Sequence, residues 1–390
     1  MHILVIIHNQ RGAGPYSKVF GMCLAVKELG NAVTILCTSP AARAKFSSSV
    51  EQGITVWESP DLLGGRLRQG VDLWNALRRI GRLRAERFDV VHAIDCRPVV
   101  ILPALWMKYV HGVPLLLSWW DLFGSGGSAT ERSGRLYALT FGHIETLFER
   151  HFRKYADRAT VVSTELRRRL EKLGFPREKI TLQRVGVSVG DFPKAERTKA
   201  RALLNLPADS SIFCFVGSIF ESDMRLLLGA LRALKTTGEK MPLTVVIGNH
   251  DIDAKVCREL NIVLPGRVDD ESFRRFFAAS DYALLPLKDT IANRARWPSK
   301  VGDYLAAGLP VVTTPVGDFS NLLTEHHLGY RAATDSAKDF ASAMVSAVRA
   351  KTSMRKRKSD SARRYARTAL EWSVLAPGLV TNYDSLLKKT

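Results

Sequence analysis

The stretch Pro298-Ser299-Lys300-Val301-Gly302-Asp303-Tyr304-Leu305-Ala306-Ala307-Gly308-Leu309-Pro310-Val311-Val312-Thr313 decides the fold class. Ser299 after Pro298 predicts a capped helix start, Gly308 predicts its end, and Pro310 to Thr313 predicts a strand. A short helix therefore hands directly to a buried strand. Working outward, Ile212 to Val216, Leu243 to Ile247, Ile262 to Leu264 and Tyr282 to Leu285 are short apolar runs. Helical stripes separate them, for example Ser272 to Ala279 with Phe273, Phe276 and Phe277 on one side. The first half alternates in the same way through Ile3 to His8, Val33 to Cys37, Ile54 to Trp57, Val90 to Ala93, Pro114 to Trp119 and Thr160 to Ser163. Strands that are apolar on both faces and separated by helices belong to parallel sheets, so the class is α/β with two doubly wound, Rossmann-like domains.

The cluster Gly186, Gly190 and Pro193 interrupts both periodicities and predicts a linker over Val185 to Pro193. The domains are accordingly 1–189 and 190–371. Open sheets bind ligands beyond the carboxyl ends of their strands, which predicts an active site in a cleft faced by both domains.

With 390 residues, 46% hydrophobic and 24% charged, the chain is globular rather than disordered. The apolar runs Val99 to Trp106 and Val113 to Trp120 are too short to span a bilayer, and Met1-His2-Ile3 opens without a basic leader, so a cytoplasmic location is expected. Five cysteines without a Cys-x-x-Cys indicate neither a disulfide framework nor a zinc site. The formal charge of +19 implies an anionic partner. A nucleic-acid binder is disfavoured, since basic and aromatic residues are not interleaved as in single-strand binders.

Gly12 and Gly14 lie in Asn9-Gln10-Arg11-Gly12-Ala13-Gly14-Pro15-Tyr16-Ser17, between the first strand and a helix striped by Val19, Met22, Val26 and Leu29. They let backbone amides approach a phosphate, or they make a tight turn; the residues leave both open. A dinucleotide cofactor is not indicated, because Ser17 stands where a third glycine would, and Leu36, Cys37 and Thr38 where an acid would. Asp251 and Asp253 precede Ala254 to Leu260 and read as helix-capping residues before metal ligands, so no protein-bound metal is expected. Arg294, Arg296 and Lys300 suit a diphosphate and Asp303, one turn on, suits ribose hydroxyls. The alternative is an exposed Lys/Asp pair among ordinary surface arginines.

The chain resembles the retaining glycosyltransferases with the GT-B fold, of the family-4 or group-1 type. Phe88-Asp89-Val90-Val91-His92-Ala93 and Ala156-Asp157-Arg158-Ala159-Thr160-Val161-Val162-Ser163 carry the resemblance in the first half. Phe215-Val216-Gly217 and the Pro298 to Val312 stretch carry it in the second. It implies an acceptor-side first domain, a donor-binding second domain, and a terminal helix, 372–390, that returns to the first. It also implies front-face, metal-independent sugar transfer from a nucleotide-diphosphate sugar with no cofactor, of a hexosyltransferase-like kind. The donor residues would be Gly12, Gly14, Gly217, Ser218, Arg294, Arg296, Lys300 and Asp303, and the catalytic ones Asp121, Arg296 and Lys300.

Departures from the family pattern are specific. Ala295 stands for a glutamate that contacts the donor sugar, and Asp303 for one that binds ribose. Ser218 and Asp223 replace an arginine and a lysine for the diphosphate, Trp120 replaces a histidine before Asp121, and Val185 replaces an asparagine. Arg294, Arg296 and Lys300 are expected to restore the missing positive charge. A non-catalytic GT-B protein that binds a sugar nucleotide or a partner is the alternative. Arg66, Arg68, Arg78, Arg79, Arg82, Arg84 and Arg87 surround a helix with Leu73, Trp74, Leu77, Ile80 and Leu83, a pattern suited to an anionic membrane surface or to a solvated face over ordinary core residues. The resemblance, in which the first domain receives the acceptor, favours the membrane and implies a glycan or lipid-linked acceptor of the cell envelope. Arg355-Lys356-Arg357-Lys358, Arg363, Arg364 and Arg367 are expected to stay in solvent.

Overall fold

The computed structural model describes residues 1–41, 44–61, 70–128, 131, 137 and 141–388. They form two compact units, one of residues 1–186, 295–297 and 372–390, the other of 187–294 and 298–371. Arg66 and Arg68 lie outside the described residues.

The first unit holds an eight-stranded sheet in the order β3-β4-β2-β1-β5-β6-β7-β8. Its strands are β1 (His2–Gln10), β2 (Ala32–Thr38), β3 (Ser47–Glu51), β4 (Ile54–Ser59), β5 (Val90–Ile94), β6 (Leu115–Trp119), β7 (Arg158–Val161) and β8 (Ile180–Leu182). The pairs are parallel except β3 with β4, a hairpin through Gln52 and Gly53. The described helices are α1 (Gly14–Glu28), α2 (Leu73–Leu83), α3 (Pro98–His111), α4 (Phe141–His151) and α5 (Thr164–Lys172).

The second unit holds a six-stranded parallel sheet, β11-β10-β9-β12-β13-β14. Its strands are β9 (Ile212–Val216), β10 (Leu243–Ile247), β11 (Ile262–Gly266), β12 (Tyr282–Leu285), β13 (Val311–Thr313) and β14 (Gly329–Arg331). Its helices are α6 (Arg197–Leu203), α7 (Glu221–Lys235), α8 (Ala254–Glu259), α9 (Asp270–Ala279), α10 (Ile291–Ala295), α11 (Lys300–Ala306), α12 (Gly317–Glu325), α13 (Ala337–Val348) and α14 (Thr352–Tyr365). The terminal helix α15 (Trp372–Leu387) belongs to the first unit and packs on α1.

Burial explains the elements. Strands β5, β6, β9 and β10 are buried at every position, as strands covered by helices on both faces must be. The second core joins Phe213, Phe215, Leu227, Leu231, Leu284, Phe340 and Met344. Helix α2 starts where Asp72 accepts from the amides of Trp74 and Asn75, and α8 where Asp253 accepts from Lys255 and Val256. Ser299 makes no side-chain cap, and α11 begins instead with Val301 donating to the Pro298 carbonyl. Gly308 ends it at φ +76°, where a Cβ would lie 2.5 Å from Arg363 Nε. Leu29, expected on the buried stripe of α1, is 47% exposed at its end.

Two readings of basic residues are corrected. Arg79 is buried, donating to Ser59, Asn75, Thr38 and the carbonyls of Ile7 and Val99, so it braces the sheet and is not offered to a membrane. On α14, Arg355 bonds buried Asp281 at 2.8 Å, Lys358 the Gly329 carbonyl, and Arg363 the carbonyls of Phe192, Ala306 and Ala307. Lys356, Arg357, Arg364 and Arg367 are exposed. Among the described residues no helix is long and apolar enough to cross a membrane.

Candidate active site

Each sheet reverses its strand order at one point, β1/β5 in the first unit and β9/β12 in the second. The loops at the carboxyl ends of those strands are where open parallel sheets hold ligands.

In the first unit β1 leads into the Gly12 turn, with φ +78° and open space where a Cβ would stand on both Gly12 and Gly14. Arg11 beside it is engaged by Glu51 and Glu58 of the β3/β4 hairpin, each at 2.8 Å. β5 leads into Asp95, a buried residue at φ +66°, a backbone conformation that side chains rarely adopt. Asp95 Oδ1 accepts from the amides of Trp120 at 2.9 Å and Asp121 at 3.2 Å, which fixes the turn after β6. Burial pushes its carboxyl up to about 7, and nearby Asp121 adds to this while Arg153 opposes it. The Asp121 carboxylate accepts from the Leu122 amide at 3.0 Å.

The loop beyond is pinned by buried charge. Glu149 accepts from the amides of Phe123 and Gly124, both at 2.9 Å, and pairs with Arg153 at 3.5 Å. Arg153 lies 3.8 Å over the Trp119 ring, and Arg97 lies 4.0 Å over Phe123 and pairs with Glu145. A Cβ on Gly127 would meet the Leu122 carbonyl at 2.1 Å, so this turn tolerates glycine alone. Behind it, His92 is fully buried between Tyr383 (2.8 Å) and Ser118 (2.6 Å), and burial lowers its ring to about 3, leaving it neutral.

In the second unit β9 leads into Gly217, φ +80°, whose amide donates to the Ile247 carbonyl. Tyr304, buried on α11, accepts from the Val216 amide at 3.0 Å and bonds the Leu284 carbonyl, tying the helix to the ends of β9 and β12. One turn earlier on that helix, Lys300 is thereby set over the turn. Its Nζ donates to the Ser218 carbonyl at 3.2 Å, lies 3.8 Å from the Phe215 ring, and would sit 3.9 Å from a Cβ on Gly217. Asp303 is half-buried one turn further along.

Arg294 pairs with Asp289 at 2.7 Å on its own loop, and Arg296 falls with the first unit. Asp223, expected from the family pattern to replace a diphosphate cation, is buried and accepts from Asn293 Nδ2 and the Lys288 amide, each at 2.8 Å. It anchors the loop after β12. Ala295 is fully buried, its carbonyl accepting from Ser163, so the packing there has no room for a longer side chain.

Sequence reading missed two residues, Asp95 and His250. His250 follows β10 and is half-buried, with its ring nitrogens against the carbonyls of Ile247 and Gly217. Burial first, with Lys300 adding to it, lowers the ring below its ordinary range. In both cases the signal was position, one and three residues past an apolar run.

The profile of the Glycosyl transferase 4-like domain matches residues 12–186, and that of the Glycosyl transferases group 1 family matches residues 210–350. The chain belongs to the group 1 glycosyltransferases of the GT-B fold. It is 25% identical over 319 residues to TuaH of Bacillus subtilis (strain 168), named as a teichuronic acid biosynthesis glycosyltransferase, covering 77% of this chain and 76% of TuaH. Its fold is similar to sucrose-phosphate synthase from Thermosynechococcus elongatus, with TM-score 0.77, 15% identity and all of both chains covered. It is also similar to Anabaena HepE in complex with UDP and glucose, with TM-score 0.70, 13% identity, and 99% and 100% of the two chains covered. Both sheets of this glycosyltransferase thus have the GT-B fold.

Proposed function

We propose that this glycosyltransferase moves a sugar from a nucleotide-diphosphate sugar to a glycan or lipid-linked acceptor of the cell envelope, with retention of configuration and without a metal or cofactor. The observation that carries the reading is the Lys300 ammonium held over the bare Gly217–Ser218 backbone at the switch point of the second sheet. There it would meet the departing diphosphate, the group on which charge develops during transfer. Asp303 on the same helix suits the ribose hydroxyls. Asp121, fixed through Asp95, suits orientation of the acceptor hydroxyl, and Gly12 and Gly14 leave open backbone for the donor. The HepE structure holds UDP and glucose, and TuaH is named for teichuronic acid biosynthesis; these support the donor class and the setting.

Asp253 is occupied as a helix cap and Asp251 is exposed, so neither is assigned to a metal. Turnover should therefore survive chelation by EDTA. A panel of nucleoside diphosphates tested by thermal shift identifies the donor base, since a ligand bound only by the folded state raises its stability.

Residence at the cytoplasmic face of an anionic membrane is proposed from α2, on a smaller residue set than the sequence pattern. Leu73 (56% exposed) and Leu77 (67%) stand out with Arg78 and Arg84, whereas Arg82 pairs with Glu86 and covers Trp57, and Trp74 lies beneath Arg78. A non-catalytic sugar-nucleotide binder is the second reading, favoured by the burial of Ala295 where a donor-contacting glutamate was expected. Diphosphate binding without turnover on any donor would select it.

A further inference from the structure

Lys300 supplies one positive charge, whereas the diphosphate of a nucleotide sugar carries about two negative charges at neutral pH, and Asp223 is committed to the loop after β12. His250 is a second basic group near Gly217 among the described residues. Gly248 ends β10 at φ +130°, and a Cβ there would stand 3.0 Å from His250 Nε2 and 3.4 Å from the Gly217 carbonyl oxygen. His250 and Lys300 therefore border the same glycine turn, and both face Phe215, the ring of His250 edge-on with centroids 5.9 Å apart. Both glycines have backbone conformations that exclude side chains, so the surface between the two basic groups is bare main chain. His250 Nε2 is buried yet makes no well-formed hydrogen bond to any described group.

We propose that His250 is the second cation of the diphosphate site, taking up a proton from solvent as the anion binds beside Lys300. The inference rests on the donor-site reading above and adds to it a residue and a proton. The groups around the ring are Phe215 from β9, the carbonyls of Gly217 and Ile247, and Lys300 from α11. Of the acids that follow it in the chain, Asp253 caps α8 and Asp251 is exposed. With no anion beside it, burial first and then Lys300, against the opposing pull of the Ile247 and Gly217 carbonyls, bias the imidazole toward its neutral form. A bound diphosphate supplies an adjacent negative charge, so the same ring becomes an imidazolium and donates from Nε2. Neutral when empty and charged when filled, it holds the product diphosphate more weakly as pH rises.

Titration calorimetry of the full chain with UDP, ADP, GDP and inorganic pyrophosphate, in buffers of different ionisation enthalpy, reads the proton directly. Uptake of roughly half to one proton per bound diphosphate is expected near pH 7. Affinity should fall about three- to tenfold between about pH 6 and about pH 8. His250→Gln should abolish the uptake and flatten the pH dependence, and it also corrects for the terminal phosphate, which itself titrates in this range. Circular dichroism confirms that the variant is folded. Diphosphate binding without proton uptake, or uptake that persists in His250→Gln, overturns this assignment and leaves the donor site standing. Binding of none of the four ligands at any pH removes the donor-site reading and the role of His250 together.

Discussion

At the switch point of the first sheet, Asp95, Arg97, Glu145, Glu149 and Arg153 are all buried and bound to one another or to loop amides. At that of the second, Lys300 and His250 are half-buried and border bare glycine backbone, with Asp303, also half-buried, one turn along the helix from Lys300. The two sheets share a topology, yet charge is put to different use in each. In the first it builds a loop, and in the second, on the reading proposed above, it would meet a ligand. Burial makes the difference, because a charge removed from water must find its partner inside the protein.

The sharpest break of this contrast is Arg153→Met. It leaves Glu149 buried without its counter-charge, so a stability loss of about 3 to 5 kcal/mol is expected by urea denaturation. A loss near zero would show that the first site is not held by its charges. Asp95→Asn acts through pH. A carboxyl raised from 3.8 to about 7 binds protons in the folded state that the unfolded chain has released, so its contribution to stability falls as pH rises across that window. His92, lowered from 6.5 to about 3, contributes with the opposite sign over most of the same range. The Asn variant should therefore gain stability relative to wild type at about 1.4 kcal/mol per pH unit between about pH 4 and pH 7. Parallel stability curves for the two proteins would contradict this.

Lys300→Ala tests the other side. Folding stability should change by no more than about 0.5 kcal/mol, whereas nucleoside diphosphate binding should weaken by about 1.5 to 3 kcal/mol. A variant that loses several kcal/mol of stability but keeps its diphosphate affinity would reverse the contrast. The smallest effect belongs to α2, where Arg78→Glu with Arg84→Glu should reduce sedimentation with anionic liposomes, each basic side chain contributing about 1 kcal/mol. Equal sedimentation with neutral liposomes would reduce these residues to solubilising surface.

Strands such as Val90 to Ile94 and Leu243 to Ile247 were legible because complete burial demands continuous apolar runs. Strand β3, Ser-Ser-Ser-Val-Glu, has no such run, and it pairs because a two-residue turn folds it back on β4. Strands β8 and β14, three residues each, lie at sheet edges and take their register from their neighbours. At the site, Lys300 and Gly217 were named, but their meeting depends on the Tyr304 hydroxyl, which no local pattern announces. Arginine on an amphipathic helix ordinarily means surface. Arg79 breaks that rule because acceptors from β1, β2, β4, α2 and α3 converge on it, a coincidence of distant segments.

Helix α8, which begins just after His250, ends close to Cys257. Cys23, Cys37, Cys96 and Cys214 are buried, and burial raises each of their thiols, the last three to about 12. Cys257 differs in exposure and not in the direction of its shift: burial and then Asp253 raise its thiol too, but it is partly open to solvent. A maleimide dye applied to the native protein should thus attach at one position, giving a fluorescent reporter of diphosphate arrival seven residues along the chain from the histidine, without any engineered cysteine.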